Sequence, residues 1–544
     1  MTGAAGAVQV VAAALAETER PRIAVLGRHA QRRVAGQLET ALPSAQVLVL
    51  RAPDPSFERA HVWLTAGGPY DAVVDQADAD IEHRLSRFLF HARPGGRYVI
   101  REGPDGKHLD RVGAWVRTLT QRRDAGAAAP QVGDTRAPEE RDLDSLAWSI
   151  ADSEIGDDHV VVRNRARTLA TVRDRQLNRL LELRGDGDDV LASLPAATLT
   201  SRSTVRTNDG AAAKLLPPEL DAPGMHVRRW AGAECHPRQI AMHGTMLLPA
   251  SLSGRTQGRL GHPFLARWAP GFVAPPPAAD VEELPGAWLY LDNLKRPHFG
   301  HTMTEQLSMT WGWPHAAKAH PSLGALVMGK PGSALADWEL ELLEAAGIPR
   351  DRVHLTTRPV RVETLLTATA MFSRPEYIHP EILSTYDTIA TTLARQASDR
   401  DWPRRVFLTR RPGKRGCDNA AEVEDLHRRY GFEVVRPEAL PLPDQVRLVR
   451  EAEVISGFAG SGMFHTALTG APKHVIAITH ANYHVHNEQM FAAVLGHRLD
   501  LVLARPDVPK GDRFDRDSFH SAYTVDFERD GAFLEQVLRE LDGD

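Results

Sequence analysis

Runs of apolar residues alternate with amphipathic stretches along much of the chain, and this alternation predicts strands and helices in turn. Near the N-terminus the apolar runs are RIAVLG (from Arg22), AQVLVL, YDAVVDQ and RYVIRE, with helix-like segments between them. From Trp288 a second series begins with AWLYLDN, and near Asp401 the cycle restarts with RRVFLTR. Strands that alternate with helices form parallel sheets. The sequence therefore predicts an α/β protein.

The alternation weakens in two places, and these suggest domain boundaries. Residues 121–145 gain Ala, Pro and charge, which is typical of a linker. Between residues 146 and 290 the pattern favours β-hairpins and a Pro-rich connection. We predict a Rossmann-like domain over 1–120, a linker over 121–145, a domain with a β-rich lead-in over 146–400 and a C-terminal domain over 401–544.

Composition narrows the class of partner. The 544 residues are 42% hydrophobic and 25% charged, with a formal net charge of -5, so there is no basic excess to suggest nucleic acid. The two cysteines cannot form a disulfide framework and fit a reducing compartment. The N-terminal stretch lacks a basic region, and no apolar run approaches the roughly 20 residues of a membrane span. We expect a cytoplasmic protein without a transmembrane segment.

The stretch GFAGSG, from Gly457, lies between an apolar run and a predicted helix. Glycines allow a close backbone approach, and the first N–H groups of a helix favour an anion. Ser461 adds a hydroxyl donor. The same residues also suit a tight strand–helix turn, and the sequence leaves both readings open. The patterns GxGxxG and GxxxxGK[ST] are absent, so a dinucleotide fingerprint and a Walker A loop are not supported.

A basic loop follows the strand that ends near Arg410, in the stretch LTRRPGKRGCDN. Arg410, Arg411, Lys414 and Arg415 lie within six residues. Guanidinium groups hold phosphate with bidentate geometry. A basic loop is also a common solvated surface, so the alternative to a phosphate site stays open.

In RPHFGHTMTEQL, His301 and Glu305 are four residues apart on a predicted helix and therefore share a face. His301 is our candidate general base, with Glu305 orienting it or working beside it. The alternative is a local His–Glu pair at a helix N-terminus. No HExxH motif is present, and the spacing is weak support for a metal site.

Together, HFGHTMTEQL and the ordered segments from VFLTRRPGKRG to ISGFAGSGMFHTALTGAP resemble glycosyltransferase family 61 over residues 285–500. Differences from the usual family pattern are Gly-Ser-Gly at 460–462, His465 in place of a frequent Asn, and His298 at the usual Asn position. The resemblance implies a GT-B-like pair of Rossmann-like domains. It also implies an inverting transferase that needs no metal or other cofactor and that moves a sugar from a nucleotide-diphosphate sugar to a hydroxyl acceptor.

Roles follow from that chemistry. The diphosphate needs cations and helix N-termini when no metal is used. We therefore assign donor binding to seven residues, which are Arg410, Arg415, Glu438, Gly460, Ser461, Gly462 and His465. Among them, Glu438 is the candidate acceptor for a ribose hydroxyl, although a surface carboxylate fits its position as well. The expected pathway is surface or capsular polysaccharide, or another glycan.

The N-terminal domain resembles class I S-adenosylmethionine methyltransferases in YDAVVDQADADIEHRLSRFLFHARPGGRYVIRE. The Gly-rich cofactor loop expected in IAVLGRHAQRR is missing, so we expect a non-catalytic domain that serves docking or homodimerisation. Asp75 and Asp78 are the polar candidates if it is active. The alternative functions are a bifunctional methyltransferase–glycosyltransferase and a non-catalytic scaffold of a glycan pathway.

Overall fold

The computed structural model describes residues 3–27, 31–50, 56–76, 80–101, 108–185, 189–252, 260–268, 271–511 and 515–543. The chain forms two compact units. The first comprises Met1–Val190, Arg229–Pro285 and Arg358–Leu365, and the second comprises Leu191–Arg228, Gly286–Thr357 and Leu366–Asp544. Four strands cross the boundaries of this division: β8 (Asp189–Leu194), β12 (Met225–His236), β17 (Glu282–Tyr290) and β20 (Val360–Ala368).

A six-stranded sheet organises the first unit. Its strands are β1 (Arg22–Gly27), β2 (Gln46–Val49), β3 (Tyr70–Gln76), β4 (Ala92–Arg101), β5 (Ile150–Ile155) and β6 (His159–Asn164), in the order β2-β1-β3-β4-β6-β5. Strands β1 to β4 are parallel, whereas β6 runs antiparallel to both of its neighbours. Helices of this unit are α1 (Gly3–Leu15), α2 (Gln31–Ala41), α3 (Phe57–Gly67), α4 (Ile81–Phe88), α5 (Leu109–Asp124), α6 (Pro138–Ser149) and α7 (Asp174–Arg184).

Both faces of this sheet are buried at its central strands β1 and β3. Along β1, Ile23 and Val25 pack into one apolar cluster, and Ala24 and Leu26 pack into another. Successive strand residues point to opposite faces, so a strand covered on both sides reads as a continuous apolar run. This explains why RIAVLG is apolar throughout. Short strands β7 (Thr168–Thr171), β13 (Ile240–His243), β14 (Met246–Leu247), β15 (Arg267–Trp268) and β16 (Gly271–Val273) complete the unit.

The second unit contains an all-parallel sheet of six strands. They are β10 (Thr204–Thr207), β23 (Arg405–Leu408), β24 (Glu433–Val435), β25 (Val454–Phe458), β26 (His474–His480) and β27 (Arg498–Ala504), in the order β10-β27-β26-β25-β23-β24. Its two faces pack into separate clusters, one with Val406 and Leu408 and the other with Phe407. The described helices around it are α8 (Gly210–Ala213), α13 (Ala420–Arg429), α14 (Leu442–Glu451), α15 (His486–Leu495), α16 (Arg516–Phe519) and α17 (Gly531–Gly543).

The rest of the second unit carries strands β18 (Gly324–Met328) and β19 (Val353–Thr356), which pair in parallel with β17 and with each other in turn. It also has two antiparallel pairs, β9 (Ala197–Thr200) with β11 (Glu219–Ala222) and β21 (Phe372–Ser373) with β22 (Tyr377–Ile378). Its helices are α9 (Phe299–His301), α10 (Gly312–Ala319), α11 (Asp337–Ala345) and α12 (Ile382–Ala394). After α9 the helix continues as a π-helical segment, Thr302–Gln306, and a 3-10 turn, Leu307–Met309.

The α/β class predicted from the alternation is confirmed, and the strands predicted at RIAVLG, YDAVVDQ, AWLYLDN and RRVFLTR are all present. The segment read as a linker includes the end of α5 and the start of α6, and the strands after it join the first sheet. The domain boundaries stay predictions. Within the described ranges, no helix is long and apolar enough to cross a membrane.

Candidate active site

The candidate site lies where the strand order of the second unit's parallel sheet reverses. Taken along the chain, β23 is followed by β24 on one side and by β25 on the other. In open α/β sheets ligands bind beyond the carboxyl ends of the strands at such a switch point. The two loops that leave these strands are the Arg410–Arg415 loop and the Gly-rich loop. The topology therefore places both predicted phosphate-binding elements at one edge of one sheet.

The guanidinium groups of Arg410 and Arg415 converge on Gly460. A Cβ on Gly460 would lie 3.4 Å from Nη2 of Arg415 and 3.5 Å from Nη1 of Arg410. Arg410 donates to the carbonyl oxygens of Lys414 (3.1 Å), Arg415 and Ala459 (3.4 Å), so it also holds the loop together. Burial lowers the pKa of Arg410, and the nearby Arg415 lowers it further. Two cations side by side at a sheet edge favour an anion there.

Arg415 has a positive φ of 56°, which is uncommon for a residue with a side chain. Its guanidinium carbon lies 4.2 Å from the ring centroid of Tyr483 and 5.7 Å from that of Phe519. These aromatic rings hold the cation by cation–π attraction and fix its direction. The loop backbone and the two rings together aim Arg415 at the Gly-rich loop.

Gly460 has a φ of 138°, a region that glycine adopts far more readily than other residues. A 3-10 helix, Ser461–Leu468, begins directly after it. The N–H of Gly460 donates to Oε1 of Glu488 at 2.9 Å. The sequence predicted backbone N–H groups free for an anion at this loop, but the N–H of Gly460 is already occupied. A buried carboxyl group 28 residues later in the chain accepts its hydrogen bond. Ser461 and Gly462 begin the helix, where the first N–H groups lack intrahelical acceptors.

The predicted catalytic element packs against this loop. A Cβ on Gly300 would come within 2.8 Å of Oγ of Ser461 and 2.9 Å of the ring of Phe464, so a larger residue at this position would push against both side chains. Beside it, the ring of Phe299 stacks on His465 with centroids 4.6 Å apart. The structure thus brings the element that carries His301 to the loop that carries Ser461.

His301 and Glu305 form the pair expected from their spacing, with Nδ1 and Oε1 2.6 Å apart. A carboxylate only accepts hydrogen bonds, so the imidazole proton lies on Nδ1 and the lone pair on Nε2. Both side chains are about a third exposed, at 34% and 29%. The ring of His298 lies 4.9 Å from that of His301, and burial together with His301 lowers its pKa. The arrangement can take a proton from a hydroxyl at Nε2.

Two other predicted residues are placed differently. His465 is 3% exposed, and its ring nitrogens contact the carbonyl of Gly462 (2.8 Å) and Oε1 of Gln445 (2.7 Å). Burial lowers its pKa to about 4, and its two contacts brace the start of the helix. Glu438 has a side chain that is 47% exposed, and it lies 3.8 Å from Arg411. The donor-binding roles of both residues stay predictions.

Sequence reasoning missed two residues at this edge of the sheet. Glu488, in the first turn of α15, is 3% exposed, and His480, at the end of β26, is wholly buried. The surrounding stretch NYHVHNEQMF holds several polar residues, but no motif in it singles out Glu488. The position of His480 at the carboxyl end of a strand is a signal that could have been used.

In the first unit, Asp75 lies at the end of β3 and is fully buried. Arg84 donates to both of its oxygens, at 2.8 and 2.6 Å, and the hydroxyl of Tyr98 donates to Oδ2. The carboxylate is therefore held by its own unit. Asp78, the other candidate, lies outside the described residues.

A scan against protein families matches residues 299–476 to the family described as Glycosyltransferase 61. The expected resemblance is confirmed over this segment, and with it the prediction of a glycosyltransferase. No curated protein matches the chain.

Solved structures that are similar include two methyltransferases. One is the MycE methyltransferase from the mycinamycin biosynthetic pathway in complex with Mg and SAH, at 12% identity and a TM-score of 0.22, over 30% of this chain and 47% of that chain. The other is the release factor-specific protein-(glutamine-N5) methyltransferase from Alicyclobacillus acidocaldarius, at 16% identity and a TM-score of 0.19, over 29% of this chain and 90% of that one. The match thus spans about half the length of the MycE methyltransferase chain.

Proposed function

Because residues 299–476 match a glycosyltransferase family, we propose that the protein transfers a sugar from a nucleotide-diphosphate sugar to a hydroxyl acceptor. The proposal includes inversion at the anomeric carbon, a GT-B-type arrangement, independence of metal ions and a place in surface polysaccharide or other glycan synthesis. The observation that carries it is the convergence of Arg410 and Arg415 on Gly460, with the His301–Glu305 pair on the element that packs against Ser461.

The donor diphosphate would lie against the two arginines at the switch point. As the bond between the anomeric carbon and the phosphate oxygen breaks, its electron pair stays on the diphosphate, which gains negative charge. Arg410 and Arg415 stabilise that charge, and the start of the Ser461–Leu468 helix adds N–H groups. Since these groups are fixed before reaction by their loop contacts, they need little rearrangement in the transition state.

The acceptor hydroxyl would attack the anomeric carbon from the face opposite the leaving diphosphate. Its oxygen forms the new bond to carbon, and its proton passes to Nε2 of His301. Glu305 holds the proton of Nδ1 and stabilises the imidazolium that results. One direct displacement of this kind inverts the anomeric carbon.

The test is a thermal-shift screen of the full chain with UDP, GDP, CDP, dTDP and S-adenosylmethionine. Arg410→Ala is compared with Arg411→Ala, a change of the same type at a side chain that is 75% exposed. We expect one nucleoside diphosphate to raise the melting temperature of the wild type and of the Arg411→Ala variant. The rise should be much smaller for Arg410→Ala. A charge-assisted hydrogen bond contributes about 1.5–3 kcal/mol, so affinity falls roughly 10- to 100-fold.

Two results would refute the proposal. No shift with any nucleoside diphosphate would leave a non-catalytic scaffold as the better explanation. A shift with S-adenosylmethionine alone would move the activity to the first unit, against the internal pairing of Asp75 with Arg84.

A further inference from the structure

Several buried polar atoms around Arg415 have no hydrogen-bond partner among the residues that the structure describes. They are Nε of Arg415, both ring nitrogens of His480, Oε2 of Glu488 and Nδ1 of His520. Buried polar atoms in native proteins are nearly always paired, and a cluster of unpaired ones indicates a place where a polar ligand or ordered water binds. The cluster lies beside Gly460, in the candidate active site.

Glu488 is the acidic member of this cluster. Its Oε1 already accepts the N–H of Gly460 at 2.9 Å, so this oxygen and the position of the side chain are fixed. Its Oε2 is buried without a hydrogen-bond partner in the described part of the chain. Burial raises the pKa of the Glu488 carboxyl group above its ordinary value. The hydrogen bond from the N–H of Gly460 and the charges of Arg415 and Arg374 offset part of this rise.

The neighbouring cation does not neutralise Glu488 directly. The guanidinium of Arg415 lies over the ring of Tyr483, and neither Nε of Arg415 nor Oε2 of Glu488 has a hydrogen-bond partner among the described residues. An acceptor oxygen thus lies close to a phosphate-binding cation without being paired to it. A ligand made only of anionic oxygens would leave Oε2 unpaired and repelled.

His480 adds a neutral partner. Burial, with the charges of Arg415 and Arg410, lowers its pKa to about 4. A neutral imidazole has one donor and one acceptor nitrogen. The cluster therefore presents cations, one oxygen of the Glu488 carboxyl group and the imidazoles of His480 and His520, a set that matches a ligand carrying both phosphate oxygens and hydroxyl groups.

We propose that Oε2 of Glu488 accepts a hydrogen bond from a hydroxyl of the donor nucleotide sugar, and that Glu488 thereby selects a hydroxylated donor over other diphosphates. The proposal rests on the function proposed above. The hydroxyl belongs either to the ribose or to the transferred sugar, and both present the same chemistry to the carboxylate. Glu488 takes the role that the sequence assigned to Glu438, whose side chain is 47% exposed and lies near Arg411.

The test uses isothermal titration with the full chain and three variants. Glu488→Gln keeps an oxygen for the Gly460 N–H but replaces the other acceptor with a donor. Glu438→Gln tests the competing residue, and Glu433→Gln, exposed on β24, is the matched control. The probes are inorganic pyrophosphate, the nucleoside diphosphate selected in the thermal screen, its 2′-deoxy and 3′-deoxy forms, and its sugar nucleotide.

We expect Glu488→Gln to bind pyrophosphate as tightly as the wild type or more tightly, because pyrophosphate carries no ribose or sugar hydroxyl for Oε2 and the glutamine brings no negative charge to the anion site. This also shows that the variant is folded. The hydroxyl-bearing ligand should bind about tenfold or more weakly. The hydroxyl is on the ribose if removing it from the nucleotide weakens binding to the wild type by the same factor as Glu488→Gln does, and weakens binding to the variant no further. If the nucleoside diphosphate is unaffected and only the sugar nucleotide weakens, it is on the transferred sugar.

The inference is overturned if Glu488→Gln binds both nucleotide ligands as tightly as the wild type, or if Glu438→Gln shows the loss instead. Failure of the proposed function looks different. In that case neither the wild type nor Glu488→Gln binds pyrophosphate or any nucleoside diphosphate.

Discussion

The proton-transfer role of His301 can be tested by comparing it with its partner. His301→Ala removes the nitrogen that would take the acceptor proton, whereas Glu305→Gln keeps a hydrogen-bond acceptor for Nδ1 and removes only the charge. The matched control is His315→Ala, an exposed histidine on α10. The structure predicts that His301→Ala is the more damaging change.

The expected magnitudes follow from the geometry. Loss of a general base costs about 10²- to 10⁴-fold in rate, which is about 3 to 5 kcal/mol of transition-state stabilisation. The bond from Nδ1 to Oε1 is 2.6 Å long and charge-assisted, which by itself contributes about 1.5–3 kcal/mol. Both side chains are about a third exposed, so solvent screening reduces this contribution. We expect Glu305→Gln to lose about tenfold.

The assay is release of the nucleoside diphosphate from its sugar nucleotide, with water or a hydroxyl compound as acceptor, together with calorimetric binding of the nucleoside diphosphate. His301→Ala should lower kcat and leave nucleotide affinity unchanged, because the proposed role of His301 is to take the proton of the acceptor hydroxyl and not to bind the diphosphate. The reasoning is refuted if His301→Ala keeps turnover within about threefold of His315→Ala. It is also refuted if Glu305→Gln is the slower enzyme.

Two further predictions concern the scaffold that holds the site. Arg296, which precedes the HFGH turn, donates two 2.7 Å hydrogen bonds to Glu339, and both side chains are buried. Glu339→Ala should lower the free energy of unfolding, measured in urea, by about 3–5 kcal/mol and speed hydrogen exchange in the helix that starts at Phe299. A loss below about 1 kcal/mol would contradict a buried charge pair. Burial lowers the pKa of His427 from 6.5 to about 4. The unfolded state therefore binds this proton at a higher pH than the folded state, and the stability that comes from the neutral ring is lost as the pH falls from 6.5 to 4. His427→Phe should reduce the loss of unfolding free energy between pH 7 and pH 5 by about 2 kcal/mol, and an unchanged pH dependence would show that the ring is not buried in its neutral form.

The elements that hold the site could be predicted because their signals are local. Strands β23 and β25 are mostly apolar, and each is followed by a loop with an unusual composition. The His301–Glu305 contact follows from helical spacing alone, although the helix there is π-helical over Thr302–Gln306. Each of these features depends on residues close together in the chain.

Other features depend on contacts between distant residues. Glu488 contacts Gly460 from helix α15, which follows the next strand of the sheet. Most residues of α15 are buried, so no exposed polar face distinguishes Glu488 in the sequence. The strands β5 and β6 join the first sheet from beyond a stretch with linker composition. Strand pairing of this kind is set by burial across the whole sheet and leaves little trace in a short window.

Strand β10 has a practical consequence for isolating the transferase. Only four residues long, it pairs along β27, and Arg206 within it binds Asp500, 294 positions later. A fragment that starts at the family match would leave the backbone of β27 uncovered, and an uncovered strand edge recruits other chains. Because the residues of the second unit are interleaved with those of the first, no single cut separates them. Work on the activity in isolation should therefore begin from the intact polypeptide.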